Sequence, residues 1–439
     1  IPAAFLAGVR LVGFWPALIG GLLAVFSPHL IGHSKIAAHE SPSVALFTLC
    51  AAAYLASSAA PWRTSGETNQ DSSPRGGRLR AALEAPLPPT RNPNALLLLS
   101  GILGGLALST RWLNGGALFL LILWAVLDLR PQMKRGRSSL EIRWGALLIP
   151  ALFFVVLGVS WPRLWSHPVA KMAETFGHYP AALQVTEFFL GQRTSPPPHY
   201  FLTYFSAVIP AACLVGWALF FVAWVFSSSK ARRGHLRLFL WWLVPMAMGL
   251  AGPMKQDGIR YVLPALVPAA LMSGVGAWWL VSKASEAVQR ATEDKRVMKG
   301  TRAVAWALCL SLLAESVWAC FSIHPYYIDY YNAFWGGTAN VANHRLLEFS
   351  WWGEGVTKAA DWMNRKLPKG ARVALEVPAR HMMALRADLV VVSSPVQAHT
   401  LVRAGEALRK PPPAGFTLVY SEKAAGVPVV QIFSRRESR

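Results

Sequence analysis

Between two apolar runs, residues 32–41 read GHSKIAAHES, which sets His33, Lys35, His39 and Glu40 in one short seam. Histidine titrates near neutrality, a carboxylate can take a proton, and lysine attracts anions. The seam therefore holds the means for acid–base work or anion binding at a lipid–water boundary. A second stretch, KQDGIRYVLPALVP (255–268), places Lys255 and Arg260 on either side of a Gly258 turn, directly before a long apolar run. Such a corner can hold a phosphate, arginine by its fork of donors and lysine as a point charge. The plainer role for both is interfacial anchoring. Pro264 and Pro268 would bend the run that follows and open space beside it. In a third stretch, TSPPPHYFLTYF (194–205), a stiff polyproline segment delivers His199 and Tyr200 to the mouth of the next run. An aromatic belt is the plainer reading there.

The chain that must position these groups is mostly apolar. Of its 439 residues, 54% are hydrophobic and only 15% charged, where a soluble domain carries about a quarter charged residues. Apolar runs of roughly 15–25 residues, the length that crosses a bilayer, recur near 11–27, 44–60, 95–109, 116–127, 145–161, 201–226, 238–253, 261–282 and 303–323. About nine spans are expected, in an all-α polytopic membrane bundle. A net charge of +21 would point to nucleic acid in a soluble protein. Here the basic residues sit mostly in short loops between runs, where they set orientation and meet anionic lipid. The expected partner is the bilayer, not nucleic acid. Cys50, Cys213, Cys309 and Cys320 lie in or beside apolar runs with no CxxC spacing, which argues against disulfides and structural zinc.

Loop charge fixes the sidedness. Arg63, Arg75, Arg78, Arg80 and Arg91 lie in 61–93, and Arg130, Lys134, Arg135, Arg137 and Arg143 in 128–144. Lys230, Arg232, Arg233 and Arg237 lie in 227–237, and Lys283, Arg290, Lys295, Arg296, Lys299 and Arg302 in 283–302. These are alternate loops, so one assignment makes all four cytoplasmic. Loops 28–43, 110–115, 162–200 and 254–260, with everything after about 324, then face outward, and all three chemical stretches share that side. Segment 61–93 reads as a flexible linker.

After His324 the composition changes. EGVTKAADWMNRKLP has helical spacing, with Val356, Ala359, Ala360 and Met363 on one side. ARVALEV, LVVVSS, FTLVYS and VPVVQIFS read as short strands, the last two joined as a hairpin through EKAAG. The expected organisation is a membrane domain over 1–323 and a small α/β domain on the outer face over 324–439.

The motifs together resemble the GT-C superfamily of integral-membrane glycosyltransferases. The branch they resemble is the family 39-like group of polyprenyl- or dolichyl-phosphate-mannose protein mannosyltransferases and aminoarabinose lipid A transferases. HSKIAAHES is similar to that group's His-Ser-Arg-x-x-x-x-Asp loop, with Lys35 at the Arg position and Glu40 at the Asp position. PPPHYFLTYF resembles its Pro-Trp-His-Tyr motif, with His199 and Tyr200 matching and Pro198 in place of Trp. IRYVLPALVP resembles its Arg-Tyr-Leu-Leu-Pro-x-x-Pro motif at Arg260, Tyr261, Pro264 and Pro268. HPYYIDYYNAFWGG (324–337), followed by WWGEGVTKAADWMN, resembles the start of the outer domain in bacterial members.

The resemblance implies an inverting transfer of a sugar from a polyprenyl-phosphate donor to an acceptor hydroxyl on protein, lipid or glycan, outside a bacterial inner membrane. It assigns Glu40 as a second carboxylate and His39 as its catalytic companion. Lys255, Arg260, Lys35 and His33 would bind the donor phosphate, and His199, Tyr200 and Tyr261 would position donor or acceptor. The family's main catalytic carboxylate lies between its first two spans. The chain begins at Ile1, by count just ahead of the third, so that residue is expected to be missing and the chain to be N-terminally incomplete. No cofactor is required; histidine and carboxylate could ligate a divalent metal, but no spacing demands one. The competing reading is a transporter or flippase of lipid-linked sugars, which calls for mid-span charges and pseudo-repeated halves. No repeat is evident, and Arg111 and Asp128 lie only near run ends.

Single cysteines introduced into 283–302 and into 400–420 should label from opposite sides of the membrane with an impermeant maleimide. Labelling from the same side would overturn the orientation.

Overall fold

The computed structural model describes residues 1–36, 39–57, 92–133, 144–181, 185–252, 255–291, 295–378 and 380–435. The basic loops expected at 61–93 and 128–144 fall largely outside them. The described chain divides into two compact units: residues 1–185 with 196–318, and residues 186–195 with 319–439.

The first unit is helical. Its main elements are α1 (Pro2–Val12), α2 (Phe14–Val25), α3 (Pro28–Lys35), α4 (Glu40–Ser57), α5 (Pro93–Thr110), α6 (Gly116–Met133), α7 (Ile149–Ser160), α8 (Pro168–Ala181), α9 (Tyr200–Val208), α10 (Ala211–Val225), α11 (Ser229–Ala251), α12 (Leu266–Ala291) and α13 (Lys295–Ile323), whose last five residues fall in the second unit. Among the described residues, three helical stretches are long and apolar enough to cross a membrane: Pro93–Thr110, Arg260–Ala291 and Trp306–Ile323. Two bent pairs, α2 with α3 at 51° and α9 with α10 at 117°, bring the number to five.

Fewer helices qualify than the nine runs expected, and the two bent pairs owe their bends to a local cause. A residue before proline avoids the helical region. Ser27 ahead of Pro28 and Ile209 ahead of Pro210 are both extended, one at the α2–α3 break and one at the α9–α10 break. Gly13, at φ 90°, divides α1 from α2 in the same way.

Helix α12 is the centre of this unit, buried from Leu266 through Ala277. Glycines bring two neighbours against its backbone. A Cβ on Gly274 would meet the Pro16 carbonyl oxygen at 2.2 Å, and one on Gly276 would meet the Gly216 carbonyl oxygen at 2.0 Å. Helices α2 and α10 therefore reach a closeness that no larger residue permits. Charges collect at the two ends of the helices. Near the C-terminal end of α4, Tyr54 donates to Asp128 Oδ2 at 3.1 Å, and Arg237 pairs with Asp128 Oδ1. Glu40 begins the same helix about 20 Å away.

The second unit carries a five-stranded sheet in the order β4-β3-β5-β7-β6 and a separate hairpin, β1 (Glu187–Phe189) with β2 (Gln192–Thr194). The sheet strands are β3 (Arg372–Glu376), β4 (Val390–Val392), β5 (Thr400–Ala404), β6 (Phe416–Ala424) and β7 (Val427–Arg435). Strand β3 runs parallel to both β4 and β5, and β7 is antiparallel to β5 and β6. The period-2 alternation of strands sorts the core. Val373, Leu375, Val402, Val430 and Ile432 face α14 (Val356–Lys366), while Ala374, Leu401 and Phe433 cluster apart from them. The β6–β7 turn has Ala425 at φ 46° and Gly426 at φ 83°, the left-handed pair of a two-residue hairpin. Residues 186–195 belong here because the Leu190 and Gly191 amides donate to the carbonyls of Leu346 and Arg345.

Replacing Gly274 by alanine drives a methyl into backbone and should destabilise the detergent-solubilised protein by about 1–3 kcal/mol. In Gly300→Ala the new Cβ meets nothing within 4 Å, so a gain of up to about 1 kcal/mol is expected from helix propensity alone. Thermal unfolding of both variants checks the contrast.

Candidate active site

Three segments far apart in sequence meet at the start of α4. Glu40 is its first residue, only 2% exposed. Arg111 is extended between the end of α5 and the 3-10 turn Trp112–Gly115. Arg260 opens the 3-10 segment Arg260–Ala265 that leads into α12. Both arginines converge on one carboxylate oxygen. Arg111 Nη2 donates to Glu40 Oε1 at 2.7 Å, and Arg260 Nε donates to the same atom. The other oxygen, Oε2, is buried without a hydrogen-bond partner.

Each arginine is further constrained. Arg111 Nη1 donates to the Arg260 carbonyl at 3.0 Å, and its guanidinium lies 4.3 Å from the centroid of the Tyr261 ring. That places a cation over a π face. Arg260 Nη1 donates to Asp257 Oδ2 at 2.9 Å. The turn beneath it is tight: Asp257 and Gly258 both have positive φ, at 57° and 65°. The Gly258 amide donates to the Tyr200 hydroxyl at 2.8 Å, and Gln256 Nε2 to the Tyr261 hydroxyl at 3.0 Å. Asn114 fastens the Arg111 turn to α4, its amide donating to Ser43 Oγ at 2.7 Å and to the Ala107 carbonyl at 2.9 Å.

His39 completes the cluster. Its Nε2 lies 2.8 Å from Arg111 Nη2, a group that only donates, so His39 accepts and is neutral with its proton on Nδ1. Partial burial and then the Arg111 charge hold the imidazole below its ordinary pKa, against the pull of Glu40.

His39, Arg111, Arg260 and Tyr261 line a cavity of about 400 Å³ together with Ser109, Thr110, Trp112 and Trp161. Trp112 and Trp161 meet edge to face with centroids 5.0 Å apart. Glu40 stands behind this wall and sets the arginines that face into it.

The other expected site residues lie elsewhere. Tyr200 is buried and holds the 257–258 turn through its hydroxyl. His199 caps α9 on an exposed position, and Lys35, also exposed, ends α3; neither lines the cavity. Lys255 donates to the Gly252 carbonyl at 2.7 Å, at the end of α11. His33 is buried in α3, where its carbonyl accepts from Ser41 Oγ at 3.1 Å. Arg111 is the residue that sequence reasoning passed over. Its only signal was a single charge in the short outward loop 110–115.

No family model and no curated protein matches the chain. Among solved structures it is similar to ArnT from Cupriavidus metallidurans in the apo state, at 13% identity and a TM-score of 0.43, over 98% of this chain and 81% of that one. The same protein bound to undecaprenyl phosphate gives 11% identity and a TM-score of 0.43, over 100% and 82%. The apo oligosaccharyltransferase of Archaeoglobus fulgidus gives 12% identity and a TM-score of 0.43, over 91% of this chain and 52% of that one.

The His39 assignment is testable by NMR titration of the labelled imidazole. Its midpoint should lie below the ordinary histidine value of about 6.5, and Arg111→Gln should move it upward. A midpoint above the ordinary value would mean a protonated His39 and a different arrangement of the cluster.

Proposed function

We propose that the chain is a membrane glycosyltransferase that takes a sugar from a polyprenyl-phosphate donor and passes it to an acceptor hydroxyl. One observation carries this reading: two guanidiniums from separate segments, held by one buried carboxylate, face a cavity of about 400 Å³. A volume in this range suits a sugar-phosphate headgroup. As the anomeric carbon–oxygen bond breaks, negative charge gathers on the departing phosphate. Arg111 and Arg260 can neutralise it with hydrogen bonds already aimed and little reorganisation. Trp112, Trp161 and Tyr261 offer the flat apolar faces on which a sugar ring or an isoprenoid can rest.

Glu40 takes the role of a positioning carboxylate, since it touches both arginines and not the cavity. His39, neutral and on the wall, can hydrogen-bond a donor or acceptor hydroxyl through its Nδ1 proton. Tyr200 acts one step further back, by fixing the turn that presents Arg260. The bacterial inner membrane, the outward position of the site and a protein, lipid or glycan acceptor are part of the same proposal, and rest on the loop charges and the motif resemblance.

Binding of undecaprenyl phosphate in detergent, followed by tryptophan fluorescence, tests the site directly because Trp112 and Trp161 lie on its wall. Arg260→Ala should weaken binding by about 10²–10³-fold, the scale of a lost charge-assisted contact. Arg233→Ala, near the start of α11 and outside the cavity lining, should stay within about twofold. Equal effects would place the donor elsewhere. In proteoliposomes the enzyme reading requires release of polyprenyl phosphate from a labelled lipid-linked sugar, and passage of that lipid across the bilayer without transfer would favour the transporter.

A further inference from the structure

The second unit contains an acidic pair, one member fully buried and the other half-buried, that the proposed reaction does not use. Asp329 lies in the 3-10 turn Tyr327–Asp329 and is fully buried. Its Oδ1 accepts from the Ser350 amide at 2.8 Å, and its Oδ2 is buried with no hydrogen-bond partner. Glu354, in the SWWGEG loop, has the same division. Its Oε2 accepts from the Trp352 amide at 3.1 Å, and its Oε1 is buried and unpartnered. Burial, and then the charge of the adjacent Glu354, push the Asp329 carboxyl well above the usual carboxylate range. Among the described residues no lysine, arginine or histidine pairs with either group.

Two carboxylates beside one another in a protein interior are costly unless a positive charge joins them. Each leaves one oxygen unsatisfied, Asp329 with the Ser350 amide on its other oxygen and Glu354 with donors of its own loop, an arrangement a cation would complete. We propose that Asp329 and Glu354 form a binding site for a hard divalent cation, with Asp329 Oδ2 and Glu354 Oε1 as its anionic ligands. No third His, Cys, Asp or Glu joins them among the described residues. The donors are therefore oxygen alone, which favours calcium or magnesium over zinc, with hydroxyl, carbonyl or water oxygens filling the remaining positions. Glu354 is partly exposed, which gives the ion a route in. The loop between Ser350 and Gly355 holds three residues at positive φ, at 55°, 85° and 80°, and a bound ion would tie it to the Tyr327–Asp329 turn.

Thermal unfolding of the purified full chain in detergent tests this, comparing EDTA with calcium chloride raised to about 1 mM, the weak end of protein calcium sites. Calcium should raise the midpoint by several degrees, and equilibrium dialysis with radioactive calcium should find about one tight ion per chain. Asp329→Asn and Glu354→Gln should each abolish the shift, while Asp361→Asn, on the exposed face of α14, should keep it. A matching shift with magnesium chloride would also support the site. Wild-type protein that neither shifts nor retains either ion would overturn it, whatever the folding of the variants. A stability that falls as pH rises past the ordinary carboxylate value, unchanged by calcium, would assign the pair a shared proton instead. None of these measurements reads glycosyl transfer, so the outcome is independent of the function proposed above.

Discussion

One carboxylate oxygen, Glu40 Oε1, holds the first unit's charged centre together. Two guanidiniums as close as those of Arg111 and Arg260 repel, and both side chains are nearly buried, at 8% and 14% exposure. Placing a carboxylate between them turns repulsion into two charge-assisted hydrogen bonds. Removing one partner of such a group commonly costs about 3–5 kcal/mol, because a charge is left buried and unmatched. The same atom joins three stretches of chain: the start of α4, the turn after α5 and the turn before α12. Most of what lines the cavity hangs from one of these, and Leu157 and Trp161 at the end of α7 supply the rest. The second-tier contacts, Asn114 to Ser43 and Tyr200 to Gly258, keep the turns from drifting once the charges are matched.

The apolar framework serves this centre by ending early. Helices α2 and α9 each stop before a proline, so the runs that contain them bend instead of crossing straight. Broken backbone at membrane depth must be satisfied by protein or water. At the α9–α10 break, Glu315 from α13 accepts from the Ala211 and Ala212 amides at 3.2 and 3.4 Å. A carboxylate from another helix thus does what a local cap does in a soluble protein. The glycine contacts along α12 are the counterpart, since they let the remaining helices pack closely enough to hold the bends.

Much of this was legible in the sequence, and the failures have physical reasons. His39, Glu40, Arg260 and Tyr261 stood out because polar groups are rare at the seams of apolar runs, and the structure gathers all four. Arg111 did not stand out, because a lone arginine at the end of a run looks like any interfacial anchor. Only its contacts, 71 and 149 residues away in the chain, distinguish it. Tyr200 and Lys255 sit in the right stretches, yet one holds a backbone amide and the other a backbone carbonyl, roles that no spacing reveals. In the second unit the strands at 372–376, 390–392, 416–424 and 427–435 follow their apolar patterns. Strand β5, TLVRA, was missed because Arg403 interrupts it. That guanidinium is buried by pairing with Glu376 at 2.8 Å and donating to the Lys410 and Pro411 carbonyls, so the central strand carries a charge.

The balance of charge in the cavity bears on how a phosphate could bind there. Arg111 and Arg260 are matched by Glu40 and Asp257, so the cluster is formally neutral before any anion arrives. On the proposed function, a donor phosphate therefore gains from this site only where it shares or takes over hydrogen bonds that the carboxylates now hold. Arg260 reaches Glu40 through Nε and Asp257 through Nη1, while Arg111 divides Nη2 between Glu40 and His39. Of these contacts, the one from Arg111 to neutral His39 is the weakest, having a charge on one side only. It also lies on the cavity wall, where an incoming anion can compete for it without disturbing the buried Glu40. The ionic core can then stay in place while the rim exchanges partners, which lets a single arrangement both hold the fold and receive a charged headgroup.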